Sequence, residues 1–226
     1  MDNSADTEMT ARLTDIHARL LARYGDPRWW PAETPYEVIV GAILTQNTAW
    51  TNVEKAIANF DGKLSPTRFL SLERDELAAI IRPAGFFNVK VGYLQTVTRW
   101  FEQYAYSVET VSALPLSSVR GELLGLKGIG RESADSILLY AFGFPSFVVD
   151  AYTTRLIERL ALPIEGGYEK IKAFFEAYLP LDAKLFNEYH ALIVLHAKAH
   201  CRKTPVCVGC PLGELCALPK ISAETR

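Results

Sequence analysis

The sequence predicts an all-α protein. Apolar residues recur at helical spacing along nearly all of its 226 residues. No stretch alternates apolar and polar residues with the period of two that marks a half-buried strand. No segment repeats at a constant length.

The first helix is read from Leu13, Ile16, Leu20, Leu21 and Tyr24, and Gly25-Asp26-Pro27 stops it. A dense aromatic loop, Arg28-Trp29-Trp30-Pro31, follows. Residues 36–44 are apolar nearly all round, the mark of a buried central helix. Thr45-Gln46-Asn47-Thr48 breaks that pattern before Val53, Ala56, Ile57 and Phe60 resume it. Asp61-Gly62 signals a loop and Ser65-Pro66 a helix start, since proline suits the first helical position. Leu77, Ile80 and Ile81 belong to a helix that ends at Arg82-Pro83-Ala84-Gly85, and Val91, Leu94, Phe101 and Tyr104 belong to another. Pro115, Ser117 and Ser118 open a short helix that runs through Leu123-Leu124 into Leu126-Lys127-Gly128-Ile129-Gly130. Beyond the glycine pair, Ala134, Ile137, Leu138 and Ala141 fall at i, i+3, i+4 and i+7 until Gly143 and Pro145 end the helix. An extended run then delivers Asp150 to the next helix. Three further helices are read around 156–160, 171–178 and 185–196.

The chain is long enough for one large domain or two small ones with a proper core. Its 24 Lys and Arg against 26 Asp and Glu give a net charge of −2. Contact with nucleic acid must therefore come from a local basic patch. No apolar run approaches the roughly 20 residues that span a bilayer, so no membrane partner is expected. Residues 1–8 are polar and acidic, unlike a signal peptide. These features point to the cytoplasm, where four cysteines are not a disulfide framework.

Several groups of residues carry chemistry, each with a plainer structural reading beside it. The amides exposed at the Gly128–Gly130 turn and the helix start after it form a concave anion site without side-chain charge. Arg120, Lys127 and Arg131 add positive charge around it, and Glu122 opposes it. On the plainer reading, the two glycines only let two helices turn sharply. Asp150 is either a simple N-cap accepting the amides of residues 152 or 153, or an ionised carboxylate that activates water or stabilises a positive sugar intermediate. The roles are compatible, because a helix start keeps a carboxylate ionised.

Cys201, Cys207, Cys210 and Cys216 are the only cysteines and are spaced C-x5-C-x2-C-x5-C. Four thiolates so close in a cytosolic protein mean a metal centre, with zinc and iron–sulfur both open on spacing. His190, His196 and His200, on or near the preceding helix, are read as solvated or hydrogen-bonded, since four thiolates already complete a site. Lys198, Arg202 and Lys203 make a basic edge, either solvated or touching phosphate. Trp29, Trp30, Pro31 and Trp50 are either core or flat surfaces on which a flipped base stacks. Phe60, Phe174 and Phe175 are read as core.

Taken together, Leu126-Lys127-Gly128-Ile129-Gly130-Arg131-Glu132-Ser133-Ala134, then Val148-Val149-Asp150, then the four cysteines resemble the helix-hairpin-helix DNA glycosylases related to endonuclease III. The resemblance covers roughly residues 27–216. It implies a two-domain helix-hairpin-helix glycosylase fold: a six-helix domain over 31–143, with the hairpin motif at about 116–142, and an iron–sulfur cluster domain over 1–30 and 144–226, with the cluster loop at 201–216. The DNA cleft lies between the two. The resemblance further implies a 4Fe–4S cluster on Cys201, Cys207, Cys210 and Cys216, Asp150 as the catalytic aspartate, and double-stranded DNA with a flipped damaged base as the substrate. The expected protein is a monomer, associated with the nucleoid through DNA.

Three positions depart from the family's pattern. Bifunctional members carry a lysine two residues after the second hairpin glycine, which forms a Schiff base with the sugar and cuts the strand. Glu132 stands there in this chain, and a carboxylate forms no imine; Lys127 lies across the hairpin. The resemblance thus implies a monofunctional enzyme that hydrolyses the N-glycosidic bond with water and has no lyase activity. Tyr152 stands where endonuclease III has a histidine, and the first cysteine gap is one residue shorter. The stretches Trp29-Trp30-Pro31, Leu44-Thr45-Gln46-Asn47-Thr48, Arg82-Pro83-Ala84-Gly85-Phe86 and Val149-Asp150 with Tyr152 look like a bacterial 3-methyladenine glycosylase branch. In that branch the tryptophan pair, the proline and an aromatic at the position of Trp50 line the base pocket. An aromatic pocket suits cationic N-alkylated purines through stacking and cation–π attraction. The branch does not share the cysteine motif, so the chain combines features of both. Gln46 and Asn47 sit where the family fills the gap left by the flipped base, with Asn47 favoured. Glu132 and Tyr152 complete the expected pocket. Two other readings stand beside this one: the same fold acting on an oxidised pyrimidine or a deaminated or mismatched base, and a lesion-binding module without catalysis.

Overall fold

The computed structural model describes residues 3–27, 29 and 32–218. Trp30 and Pro31, two of the expected pocket residues, lie outside the described residues. In chain order the helices are α1 (Asn3–Tyr24), α2 (Pro35–Leu44), α3 (Trp50–Ala58), α4 (Pro66–Ser71), α5 (Arg74–Ile80), α6 (Phe87–Glu102), α7 (Val108–Ser112), α8 (Leu116–Gly125), α9 (Arg131–Ser136), α10 (Ala151–Arg159), α11 (Tyr168–Tyr178) and α12 (Ala183–Ala199). No strand occurs among the described residues, so the chain is all-α. It divides into two compact units, Met1–Trp29 with Pro145–Arg226, and Trp30–Phe144.

In the 30–144 unit, α2 is the central rod. Thr34 caps it by accepting the Glu37 amide at 3.1 Å, and Pro35 occupies its first turn. Ile39, Ile43 and Leu44 are fully buried against α6 and the end of the α9 segment. That segment departs from a regular helix: α9 opens into a wider π turn over Ile137–Ala141, and the Phe144 amide folds back onto the Leu138 carbonyl at 2.9 Å. A regular amphipathic helix buries one stripe, whereas here Ile137, Leu138, Leu139 and Ala141 are all buried. The extra residue in the turn accommodates that width. The five-residue α7 is not legible from apolar spacing because it is too short to show a period.

Two groups expected to set the charge around the glycine hairpin are used inside the unit. Arg120 makes a bidentate pair with Asp135 at 2.8 and 2.9 Å. Asp135 is fully buried, so this fork braces α8 against α9. Glu122 accepts hydrogen bonds from Trp100 Nε1 at 2.7 Å and the Tyr104 hydroxyl at 2.6 Å.

The terminal unit is built on α1, α10, α11 and α12. Leu13, Ile16 and Leu20 form the buried face of α1. Phe147 stacks on Phe175 with ring centroids 4.1 Å apart and meets Phe186 and Tyr189 edge-on. The buried Tyr189 hydroxyl donates to the Leu13 carbonyl at 2.9 Å, tying α12 to α1. Of the residues read as core, Phe60 and Phe175 are buried and Phe174 is half-buried.

Candidate active site and DNA-contact elements

The hairpin between α8 and α9 is a turn that only glycine tolerates at its first corner. Gly128 has φ +89, and a Cβ built there would stand 2.1 Å from the Tyr93 ring. Ile129 is buried as the pin of the turn, while Lys127, Gly130 and Arg131 are exposed. Leu126 is half-buried and accepts the Ile129 amide at 3.2 Å. Gly130 is the N-cap of α9 and offers no capping side chain. The first turn of α9 therefore presents backbone amides beside two exposed basic residues, the arrangement that takes an anion.

The polar break after α2 is fastened to this hairpin. The Gln46 amide donates to the Gly128 carbonyl and to the Ser133 hydroxyl, both at 2.9 Å. Gln46 is half-buried and committed to the hairpin, so of the two candidates for filling a gap in DNA only Asn47 points outward. Asn47 is exposed, with a left-handed backbone (φ 55) that asparagine tolerates better than most residues.

In the terminal unit, Asp150 is the N-cap of α10. Its Oδ1 accepts the Thr153 amide at 2.7 Å and the Thr153 hydroxyl at 3.0 Å. Its Oδ2 lies 3.6 Å from Nε2 of the buried His190 on α12. Burial acts to raise the carboxyl's pKa, but His190 and the two Thr153 donors outweigh it and hold it below the usual carboxylate range. One oxygen is thus saturated, and the group stays ionised near neutral pH. Tyr152 is half-buried, with the Arg155 guanidinium 5.2 Å over its ring.

The cysteines lie beyond α12. All four are free thiols, with Cys201 buried and the others half-buried. Burial raises the Cys210 thiol, and charges on Cys201, Cys216 and Cys207 each raise it further, so all four sulfurs share one neighbourhood. Among the described residues, no group of three or more His, Cys, Asp or Glu is arranged to hold a single metal ion. The C-terminal end of α10 wraps the loop: Arg155 Nε donates to the Cys201 carbonyl at 2.8 Å, and Arg159 donates to Cys201 Sγ at 3.2 Å and to the Lys203 carbonyl at 3.1 Å. The three histidines are buried rather than solvated. His196 pairs with the Tyr24 hydroxyl at 3.1 Å and lies 3.9 Å from Cys210 Sγ; burial and the neighbouring His200 push it down to about 4. His200 Nδ1 contacts the Val206 carbonyl at 2.9 Å.

Residues 40–180 match the model of the HhH-GPD superfamily base excision DNA repair protein. The chain belongs to this superfamily. It is a DNA glycosylase of base excision repair, hence a hydrolase that acts on DNA. It is 48% identical over 206 residues to a Methanocaldococcus jannaschii protein assigned as a DNA repair glycosylase, covering 89% of this chain and 94% of that one. Among solved structures, a Helicobacter pylori 3-methyladenine DNA glycosylase bound to 1,N6-ethenoadenine is similar with TM-score 0.70 and 30% identity, over 85% of this chain and 97% of that chain. A trapped endonuclease III–DNA covalent intermediate shares the fold with TM-score 0.77 at 22% identity, over 92% and 95% of the two chains.

Within this HhH-GPD chain the remaining aromatic candidates are engaged by neighbours. Trp50 is half-buried against the core of its unit and donates from Nε1 to Glu54 at 2.9 Å. Trp29 is half-buried, with the Lys198 ammonium 5.8 Å over its ring, so part of the expected basic edge covers an aromatic face. Glu132 is exposed on the first turn of α9. Sequence reading assigned no role to Phe86. It is 69% exposed, in left-handed backbone (φ 46), at the start of α6 and near the half-exposed Val89. A bulky residue in that conformation is strained, and such strain collects at functional positions. The available signal was a phenylalanine directly after Gly85 in a short proline turn. Lys90 was also missed: it is almost fully buried in α6, where burial pushes it down to about 8.

Proposed function

We propose that this glycosylase is monofunctional and releases N-alkylated purines such as 3-methyladenine from double-stranded DNA, with Asp150 as the catalytic carboxylate. The observation that carries the reading is the state of Asp150: ionised, capped on Oδ1 by Thr153 and faced by His190 on Oδ2. As the C1′–N bond breaks, its electron pair leaves with the base. A purine already cationic from alkylation departs neutral, so little acid assistance is needed. Water adds hydroxide to the sugar carbon, its proton passes to Asp150, and the product is an abasic site.

The exposed Glu132 supports the absence of a lyase step, because no amine stands at the position where an imine would form. The hairpin amides with Lys127 and Arg131 hold the phosphate backbone. Asn47 fills the gap left by the extruded base, and the Phe86 ring wedges between neighbouring bases. Tyr152, half-buried and two residues after Asp150, offers a ring on which the flipped base stacks. The four free thiols in one neighbourhood would supply the thiolate donors of a 4Fe–4S cluster. Bound there, the cluster would fasten the 201–216 loop to α10 through Arg159.

A panel of single-lesion duplexes tests the reading. Base release from 3-methyladenine or 1,N6-ethenoadenine duplexes, abasic product without strand cleavage, and no borohydride trapping are expected. Preference for an oxidised pyrimidine or a thymine mismatch would overturn the substrate class. Efficient trapping would overturn the reading of Glu132, and DNA binding with no base release from any duplex would favour a non-catalytic module.

A further inference from the structure

We propose that Lys90 is a positioning residue that sets the spacing of the two side chains, Asn47 and Phe86, which probe the duplex; the inference rests on the roles given to those two residues above. Lys90 projects from α6 and is 2% exposed. Nζ donates to the Leu44 carbonyl at 2.8 Å and to the Ala84 carbonyl at 2.9 Å. Leu44 is the last residue of α2, and Ala84 the last of the short 3-10 turn Arg82–Ala84. The chain leaves both points for exposed turns. Three residues after Leu44 comes Asn47, and two after Ala84 comes Phe86. Both have left-handed backbone and both face solvent. One buried cation thus ties together the roots of the two probes.

Chemistry explains why an ammonium is suited to that place. Carbonyls at helix ends carry partial negative charge and lack helical partners. A tetrahedral cation with several donors satisfies one carbonyl from each end and fixes their separation. An apolar side chain of the same volume would fill the space without desolvating a charge, but it would leave both carbonyls unpaired and the two turns independent. One turn further along α6, Tyr93 packs under Gly128, and Gln46 joins the Asn47 turn to the hairpin. The probe spacing is thereby set relative to the backbone anchor.

A mutant cycle on the full-length protein tests this without a chosen lesion. The probe is a duplex with a tetrahydrofuran abasic analogue and 2-aminopurine in the opposite strand, read by affinity and fluorescence. N47A/F86A is expected to weaken binding and suppress the 2-aminopurine signal. Lys90→Met in the wild-type background is expected to weaken binding by about tenfold. In the N47A/F86A background it should change binding by less than about twofold, because its effect acts through the probes. A merely structural lysine would cost the same factor in both backgrounds, and that result overturns the proposal. Should K90M not yield a folded protein by circular dichroism, Lys90→Gln, whose shorter stem cannot hold both carbonyls, enters the cycle instead with the same criteria. Unchanged binding and signal in N47A/F86A itself would sink the probe assignment, and this inference with it, while leaving the glycosylase assignment intact.

Discussion

Two alanine substitutions two residues apart in the hairpin separate its structural work from its DNA work. At Gly128 an alanine must adopt φ +89 and place its methyl carbon 2.1 Å from the Tyr93 ring. Left-handed backbone costs a non-glycine residue about 1–2 kcal/mol. Overpacking a ring adds about 1–3 kcal/mol. Gly128→Ala should therefore destabilise the fold by about 2–5 kcal/mol, and Tyr93→Leu in the same chain should return part of the packing share. Gly130 has φ −88, and an added Cβ meets nothing within 4 Å. Gly130→Ala should cost the fold only about 0.5–1 kcal/mol through a poorer N-cap. Its methyl nevertheless stands where a phosphate must approach the amides of α9, so affinity for DNA should fall by about tenfold. Urea unfolding and fluorescence anisotropy on an abasic-analogue duplex measure the two effects. A Gly128→Ala protein as stable as wild type would refute the hairpin geometry, and a Gly130→Ala protein that binds normally would refute the amide anchor.

Asp150→Asn keeps a capping side chain, so stability at neutral pH should change by no more than about 1 kcal/mol, while base release in single-turnover assays drops by about a thousandfold and DNA binding persists. Because its folded pKa is depressed, the Asp150 carboxylate contributes stability that is present above its unfolded value of about 3.9 and is lost as pH falls through the folded value. The stability gap between wild type and D150N should narrow as pH falls below about 3.9; a gap that stays flat on acidification would contradict the depressed pKa. Arg120→Ala leaves the fully buried Asp135 without its fork, at a cost of about 3–5 kcal/mol in calorimetry; a loss below about 1 kcal/mol would show that water replaces the guanidinium. The purified protein should be brown, absorbing near roughly 400 nm, and oxidative removal of iron should open the 201–218 segment to protease; a colourless protein containing one zinc would reassign the centre.

The helices and the hairpin were legible because their signals are local. A glycine pair between two apolar patterns and a proline or serine at a helix start act within a few residues, and the matching helices are present, although α1 starts ten residues before Leu13 and Phe60 and Tyr104 fall past the ends of α3 and α6. The π turn at Ile137–Ala141 left no such mark. The residues that would form a regular stripe are present, and only three-dimensional crowding makes all of them inward. The site divides in the same way. The N-cap at Asp150 was legible from its position before a helix, and the exposed Phe86 was not, because exposure is a property of the packed unit and not of the residue. Lys90 was hidden for a related reason. A lone lysine in an amphipathic pattern reads as the solvated face, and only the convergence of two distant helix ends, 46 and 6 residues away, gives it partners. Arg120 misled in the opposite direction: its charge was counted toward DNA, but its partner is Asp135, one helix later.

Cap and catalyst were compatible readings of Asp150 in the sequence, and the structure shows the cap. A carboxylate has two oxygens, and the helix start uses only Oδ1: the Thr153 amide and hydroxyl fix its orientation and keep it ionised. A free surface aspartate would lose this orientation, and an unassisted buried one would take up a proton. On the proposed mechanism, capping supplies the two conditions that hydrolysis with water requires, a fixed direction and a negative charge. On that proposal, the same economy makes Glu132 tolerable at the position where an amine would cut the strand. On the proposed reading, a chain that hydrolyses with water needs no nucleophile in the first turn of α9, which is left to meet the DNA.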